Sequence, residues 1–385
     1  MAQSNVRAPT SIQAEQLGVA LAGLPQPCWA SGLTALDLYH RVPMLPLLEV
    51  YTTRSLVDLA RACDDLSYRA DERGEARLRR DDLELCVRCG EFPDRPPRHR
   101  VSVLDLLYEP EHGRFLDWYE VYPDLRAARL RPSEALLPPA MTCSWLSLAE
   151  IALVVGRHAY KPPPELAHGT GKGPLLSPGY QRELLTALLL GETPWQGLEL
   201  LARGGFVRTH WPELEELRGV THSKDHHPEG DGWQHTLETL HYPRLADLTL
   251  SLALLLHDVG KASTYAAGTR KFSGHAEQGE RIARVFLHRL GYPSSLIDEV
   301  TWLVRHHMLP ASLPTLAPRQ LEPVLGSPWF PKLLVLYRCD LASTYRDLAQ
   351  YHEAVASYRR FLKHRSNPYR DLGGKKLLLS YLDWP

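Results

Sequence analysis

No run of about 18 apolar residues occurs anywhere in the 385-residue chain, so a membrane-spanning helix is not expected. Met1 to Thr10 are polar and lack the apolar stretch of a secretory signal, which makes a cytoplasmic location the expectation. Charge of one sign is not in excess either. The chain has 44 Lys and Arg against 45 Asp and Glu, a formal net charge of -1, so no global positive field draws nucleic acid in and any such contact must be local. Cysteine is sparse: six thiols, Cys28, Cys63, Cys86, Cys89, Cys143 and Cys339, are scattered in a way that fits reduced side chains better than a disulfide framework. Only Cys86 and Cys89 have CxxC spacing. A zinc site there would need two further ligands at compatible spacing, and LELCVRC is read as a strand. Low-complexity tracts are absent too, and 44% hydrophobic with 23% charged residues is an ordinary globular composition, long enough for two or three domains of roughly 150 residues.

What the chain has in abundance is histidine. There are 18, and nine of them fall between His226 and His307. The segment from about 34 to 120 alternates short apolar runs (Pro46 to Tyr51, Leu83 to Val87, Val101 to Tyr108) with helix-like stretches such as Ser55 to Cys63, which reads as α+β. Nine prolines between Pro123 and Pro178 argue against long helices there and place a boundary in that zone. From Gln181 onward apolar residues recur at helical spacing, with Gly191, Gly204-Gly205 and Gly291 where helix ends belong. The expected organisation is an α+β domain over 1–135, a helical linker over 136–220, and an all-α domain with a helical tail over 221–385.

Five pieces of the helical half carry metal-ligand side chains: His235 in DGWQHTLETL, His257 and Asp258 in LLLHDVGKAS, His275 in FSGHAEQGERI, His306 and His307 in VRHHM, and Asp340 in YRCDLAST. Imidazoles with carboxylates suit manganese, iron, nickel, cobalt or zinc, and suit magnesium less where histidines are many. The adjacent His257-Asp258 pair ends the apolar run Leu248 to Leu256, a core helix. A carboxylate at such a buried helix end is costly unless a cation or donor satisfies it. A lone histidine is usually a surface or satisfied core residue. The set H...HD...D is another matter.

That set resembles the HD superfamily of metal-dependent phosphohydrolases. The resemblance implies His235, His257, Asp258 and Asp340 as core ligands of one divalent ion. His275, His306 and His307 would be the further ligands of members that hold two, with Asp258 as the bridge. It also implies hydrolysis of phosphomonoesters or phosphodiesters, since a pair of ions polarises phosphoryl oxygens and activates water. Lys261, one turn past the pair, either reaches a phosphate or complements the helix dipole. The likeness is closer than the superfamily. HHPEGDGWQHTLETL, LLLHDVGKAS, the stretch from FSGHAEQ to VRHHM, and LYRCDLAST look like the C-terminal HD domain of bacterial tRNA nucleotidyltransferases, the CCA-adding enzymes, across about residues 205–350. RELLTALLLGETPWQGLELLARGGFVRTHWPELEELRGV looks like the helical neck of that family, and His227 and Glu229 fall in its HPEGD stretch, where they would line the substrate pocket.

The front half resembles the same family's nucleotidyltransferase head in outline only. Val103 to Arg131 is similar to the segment after the head's RRD motif, with Asp117 and Asp124 matching. Aligned through Thr52, the family's D-x-D metal pair falls on Leu47 and Glu49, so one carboxylate survives. Polymerase-type transfer needs a carboxylate cluster for two magnesium ions. RRD becomes Arg98, His99, Arg100; the nucleotide-selecting E-D-x-x-R falls on Ala140, Met141 and Ser144; no glycine pair for a triphosphate is found before Leu47. The head therefore reads as a degenerate scaffold. HGTGKGP (168–174) is read as a proline-flanked flexible loop rather than a phosphate loop. The tail, with Arg359, Arg360, Lys363, Arg365, Arg370, Lys375 and Lys376 interleaved with Tyr358, Phe361 and Tyr369, is a solvated face that could also meet an RNA backbone.

The function expected is a divalent-metal phosphohydrolase acting on a nucleotide or an RNA terminal phosphate. The alternatives are a tRNA- or RNA-binding protein with a purely structural HD domain, and residual CCA addition.

Overall fold

The computed structural model describes residues 9–68, 76–80, 82–90, 98–131, 142–162, 170–220, 231–264, 272–316, 318–344 and 347–363. Contacts gather into two units, Met1–Leu188 with Arg203–Phe206, and Leu189–Ala202 with Val207–Pro385.

The first unit is α+β, as its sequence predicts. Its elements are α1 (Ser11–Leu21), β1 (Cys28–Ala30), α2 (Gly32–His40), β2 (Leu47–Thr52), α3 (Leu56–Ala62), β3 (Ser67–Tyr68), β4 (Ala76–Arg80), β5 (Leu83–Cys89), β6 (Leu107–Glu109), β7 (Arg114–Leu116), α4 (Tyr122–Arg126), β8 (Thr142–Ser144), α5 (Trp145–His158), β9 (Thr170–Lys172) and α6 (Pro178–Leu189). Seven strands form a mixed sheet in the order β3-β4-β5-β2-β1-β6-β7, with β2 and β5 parallel and paired from Leu47↔Glu84 to Thr52↔Cys89. Leu48, Val50, Leu85 and Val87 of this central pair are fully buried with Leu17, Ala20 and Leu38 of the helices. Cys86 and Cys89 lie three apart on β5, and odd separations point to opposite faces of a sheet, so they form no joint site.

Two expectations are corrected here. The run Val101 to Tyr108 is not one strand: Ser102–Asp105 is a 3-10 turn whose Ser102 hydroxyl donates to the buried Asp124, and only Leu107–Glu109 continues as β6. The expected loop around Gly171 is the strand β9, paired parallel with β8. Glycine is required there because a Cβ on Gly171 would stand 2.1 Å from Cε3 of Trp145. The TGK run thus serves packing beneath an indole.

The second unit is helical: α7 (Pro194–Arg203), α8 (Phe206–His210), α9 (Pro212–Glu215), a 3-10 turn (Glu216–Gly219), α10 (Gly232–Thr239), α11 (Leu248–Leu256), α12 (Lys261–Thr264), α13 (His275–Arg289), α14 (Ser294–His306), α15 (Leu309–Ser312), α16 (Pro318–Leu325), α17 (Phe330–Thr344) and α18 (Ala349–Lys363). α11, LTLSLALLL, is apolar on all sides, and Leu252 through Leu256 are completely buried, which is how an all-round hydrophobic helix must sit. Asp247 starts it by accepting from Leu250 N (3.0 Å). α13 begins after Gly274 at φ 77, a left-handed conformation that glycine adopts readily. Among the described residues no helix is long and apolar enough to cross a membrane.

Candidate metal centre

Each donor owes its place to the local structure that carries it. His235 lies one turn into α10, His257 and Asp258 follow the last residue of α11, His275 opens α13, His307 follows α14, and Asp340 lies in α17. Except for Asp340 the donors are buried; Asp340 is 23% exposed, while His235, His257 and His307 side chains are each 1% exposed. The open side of the cluster is therefore at Asp340.

Three of the rings are aimed the same way. Nδ1 of His257 bonds Leu254 O (2.8 Å), Nδ1 of His275 bonds Phe272 O (2.7 Å), and Nδ1 of His307 bonds Val304 O (2.7 Å). A carbonyl only accepts, so Nδ1 carries the proton in each and Nε2 is left with a lone pair. His257 Nε2 faces His235 Nε2 at 3.3 Å, and His275 Nε2 faces His307 Nε2 at 3.1 Å. Between the pairs stands Asp258. Its Oδ2 lies 3.3 Å from His257 Nε2 and 3.7 Å from His235 Nε2, and its Oδ1 lies 3.8 Å from His275 Nε2 and 3.7 Å from His307 Nε2. One carboxylate thus addresses two imidazole pairs with its two oxygens. Asp340 Oδ1 joins the first pair, 3.1 Å from His235 Nε2 and 4.0 Å from His257 Nε2.

The electrostatics favour the neutral form of His275 and His307 and the ionised form of the two carboxylates. Burial, and then the His257 ring, push His307 down to about 3, and burial likewise lowers His275. Burial opposes ionisation of Asp258, but His257, Lys261 and His235 around it hold its carboxyl well below the usual value. For Asp340, burial is again outweighed, here by the hydrogen bond and charge of His235. Neutral imidazole and ionised carboxylate are the forms that bind a cation. Asp258 Oδ2 is buried and accepts no well-aligned hydrogen bond, although Lys261 Nζ stands 2.6 Å away as its charge partner. Imidazole nitrogens facing one another around a shared buried carboxylate are what two divalent ions would satisfy, and two donor triplets meet the spacing for one: His235, His257, Asp258, and Asp258, His275, His307. The His/Asp clusters are compatible with divalent metal binding.

His306 is the exception among the expected ligands. Its Nδ1 bonds Trp302 O (2.8 Å) and its ring packs on Trp302 at 4.5 Å; like Asp340 it enters neither triplet, but Asp340 reaches His235 Nε2 (3.1 Å) whereas these contacts of His306 are with its own helix. Successive helical residues point about 100° apart, so His306 and His307 cannot both face the site. His227 and Glu229 lie outside the described residues. Lys261 is 12% exposed, with Nζ 5.5 Å from the Phe272 ring centre. One neighbour escaped the sequence reading: Ser343 Oγ lies 3.4 Å from His235 Nδ1, and its position three residues after Asp340, on the same helix face, was the available signal.

In the first unit, Glu49, the surviving carboxylate, turns inward. Its Oε2 accepts from Leu33 N (3.1 Å) at the start of α2, and a Cβ on Gly32 (φ 54) would stand 1.8 Å from that oxygen. A single glycine does therefore precede Leu47 at the strand-to-helix turn, and the chain's own carboxylate fills the space above it. Arg98 pairs with Asp105 (3.2 Å), and Arg100 with Glu150 (3.3 Å). Asp117 accepts from Val121 N and Tyr122 N, and Asp124 is held by Arg129 and Arg131. Ser144 caps α5, while Ala140 and Met141 lie outside the described residues. In the tail, Tyr358 is a core residue, 1% exposed and packed on Phe330 at 4.6 Å, so it is no stacking platform for a base. Tyr369, Arg365, Arg370, Lys375 and Lys376 are outside the described residues.

The HD domain family matches residues 232–338, a span that includes every imidazole of the cluster and stops two residues short of Asp340. A Multifunctional CCA protein of Halorhodospira halophila is 39% identical over 122 residues, 31% of this chain and 29% of that protein. A CC-adding tRNA nucleotidyltransferase of Thermus thermophilus is 39% identical over 136 residues, 33% of this chain and 31% of that protein. The chain thus covers less than a third of the length of these two relatives. Its fold is similar to the crystal structure of the Bacillus stearothermophilus CCA-adding enzyme in complex with CTP, with a TM-score of 0.54 and 15% identity over 97% of this chain and 86% of that one. The chain therefore carries an HD domain and is close to the bacterial tRNA nucleotidyltransferases.

Proposed function

We propose that this chain is an enzyme of nucleotide or RNA ends whose chemistry resides in the helical unit: a divalent-metal phosphohydrolase, with a nucleotide or an RNA terminal phosphate, tRNA included, as substrate. One observation carries the reading, the convergence of two imidazole pairs on the two oxygens of Asp258. His235, His257, Asp258 and Asp340 would hold one ion and Asp258, His275 and His307 a second. The bound ions would supply Lewis acidity toward a phosphoryl oxygen and activate water. The chain's own contribution is to keep His275 and His307 neutral, hold Asp258 ionised, and present Lys261 beside Asp258, where its ammonium would contact a phosphate oxygen once a cation relieves it of Asp258.

Purified protein with Mn²⁺ or Ni²⁺ should hydrolyse 2′,3′-cyclic AMP or p-nitrophenyl phosphate, and Asp258→Ala should be inactive. Equal rates in the two proteins would reject the proposal.

A second reading, nucleotidyl transfer to a tRNA end, is favoured by the relatives, whose names describe CCA and CC addition; the comparisons support transfer better than hydrolysis. The head geometry weighs the other way, because Leu47 offers no ligand and Glu49 is engaged with Leu33 N. Incorporation of labelled CTP or ATP into tRNA, undiminished in Asp258→Ala, would decide for transfer.

A further inference from the structure

Gly260 stands two residues after Asp258, and its backbone conformation is an ordinary one, so conformational freedom is not what glycine supplies there. It supplies the absence of a side chain. A Cβ on Gly260 would lie 2.1 Å from the carbonyl oxygen of His275, 2.5 Å from Gly279 N and 3.0 Å from Gly279 Cα. All three are backbone atoms of α13 and cannot rotate out of the way. Gly279 answers from the other side: its Cβ position is 3.5 Å from Gly260 N, 3.6 Å from His257 O and 3.2 Å from Val304 Cγ1. Glycine is a poor choice inside a helix, so the contact rather than helix propensity accounts for Gly279.

We propose that Gly260 and Gly279 are positioning residues for the second ion: by letting the turn after His257-Asp258 touch the first turn of α13 backbone to backbone, they set the distance between Asp258 and His275. The inference rests on the metal reading above. A methyl at position 260 forces α13 back by about 1 Å to reach ordinary contact, and His275 rides on that turn. Metal-ligand distances tolerate only about 0.2 Å. His235, His257, Asp258 and Asp340 belong to α10, the end of α11 and α17, so the first group keeps its geometry.

Cobalt(II) titration of the full chain, read by metal content and by the visible spectrum, tests this. The wild-type chain should take two ions and Gly260→Ala one. Gly279→Ala, whose nearest new neighbour is a movable valine methyl, should keep the second ion at affinity lowered by about tenfold, within the range of 10- to 100-fold for second-sphere changes. Gly219→Ala, with nothing within 4 Å of the new methyl, should match wild type. Two ions at wild-type affinity in both Gly260→Ala and Gly279→Ala would overturn the role of the glycines, as would a wild-type chain that takes only one. A wild-type chain that takes none would sink the metal reading itself. Should Gly260→Ala fail to fold, Gly279→Ala decides: unchanged affinity for the second ion overturns the proposal.

Discussion

His275 Nε2 and His307 Nε2 face each other at 3.1 Å while the Nδ1 of each bonds a carbonyl at the end of its own helix or turn. Lone pairs at that distance repel unless a proton or a cation lies between them. Burial holds His307 down to about 3, so near neutral pH the proton is not available. A cation should therefore stabilise the fold. At a hundredfold excess over its dissociation constant a bound ion adds about 2.7 kcal/mol, or several degrees of melting temperature. Mn²⁺ should raise the melting temperature, EDTA should reverse the rise, and Asp258→Asn, which weakens the carboxylate that both groups share, should respond far less. An equal shift in the variant would mean that the ion binds elsewhere.

Lys261 is bound to the same carboxylate, with Nζ 2.6 Å from Asp258 Oδ2. Its positive charge competes with any ion for that oxygen, yet it is also the ammonium best placed for a phosphate. Lys261→Met separates the two roles. Manganese affinity should rise by about tenfold, because about 1.4 kcal/mol of like-charge repulsion is enough for that. Turnover of 2′,3′-cyclic AMP should fall by about 10²-fold, as when one preorganised donor is lost. Tighter metal binding with undiminished turnover would leave Lys261 as a partner of Asp258 and nothing more.

The donor types were legible in the sequence because the HD pair ends an apolar helix and, with its flanking histidines and Asp340, repeats a family pattern. Which member of His306-His307 faces inward was not, since adjacent residues carry no sign of the helix's rotation. The tail misled for the opposite reason: Tyr358 sits among arginines in sequence, but its own helical face carries Tyr351, Ala354 and Val355 into the core. Gly171 reads as part of a loop, and Gly260 and Gly279 resist reading altogether. Each is there for a close approach by an element far away or across a turn, and spacing along the chain does not reveal what a missing side chain makes room for.

The first unit offers a pH test free of the metal question. His40 Nε2 contacts Tyr160 Oη at 2.9 Å, and burial, with His158 beside it, lowers His40 from 6.5 to about 4. As the pH falls, the unfolded chain takes up this proton first, so stability is retained above about 6.5 and lost progressively between about 6.5 and 4. His40→Gln keeps a polar contact for Tyr160 but cannot titrate. Urea midpoints at about pH 7.5 and about pH 4.5 should therefore fall further apart in the wild type than in His40→Gln. Identical differences in the two proteins would show that His40 is protonated in the fold at little cost.

Asp37 and Arg157, both 1% exposed in their side chains, join α2 to α5 by a two-pronged ion pair: Arg157 Nε to Oδ1 at 2.7 Å and a terminal guanidinium nitrogen to Oδ2 at 2.8 Å. The same guanidinium also donates to Pro43 O (2.6 Å), and His158 Nε2 lies 3.0 Å from Asp37 Oδ1. Removing one partner of such a pair leaves a buried charge without compensation, which costs about 3–5 kcal/mol, whereas replacing both by apolar residues is often close to neutral. Arg157→Met should accordingly destabilise by about 3–5 kcal/mol in urea unfolding. Adding Asp37→Leu to it should recover at least half of that loss, although Pro43 O and His158 lose their contacts with Arg157 and Asp37. A loss under about 1 kcal/mol for Arg157→Met would put this pair in the class of exposed ion pairs. A double variant no better than the single would mean that its geometry, rather than the stranded carboxylate, holds the two helices together.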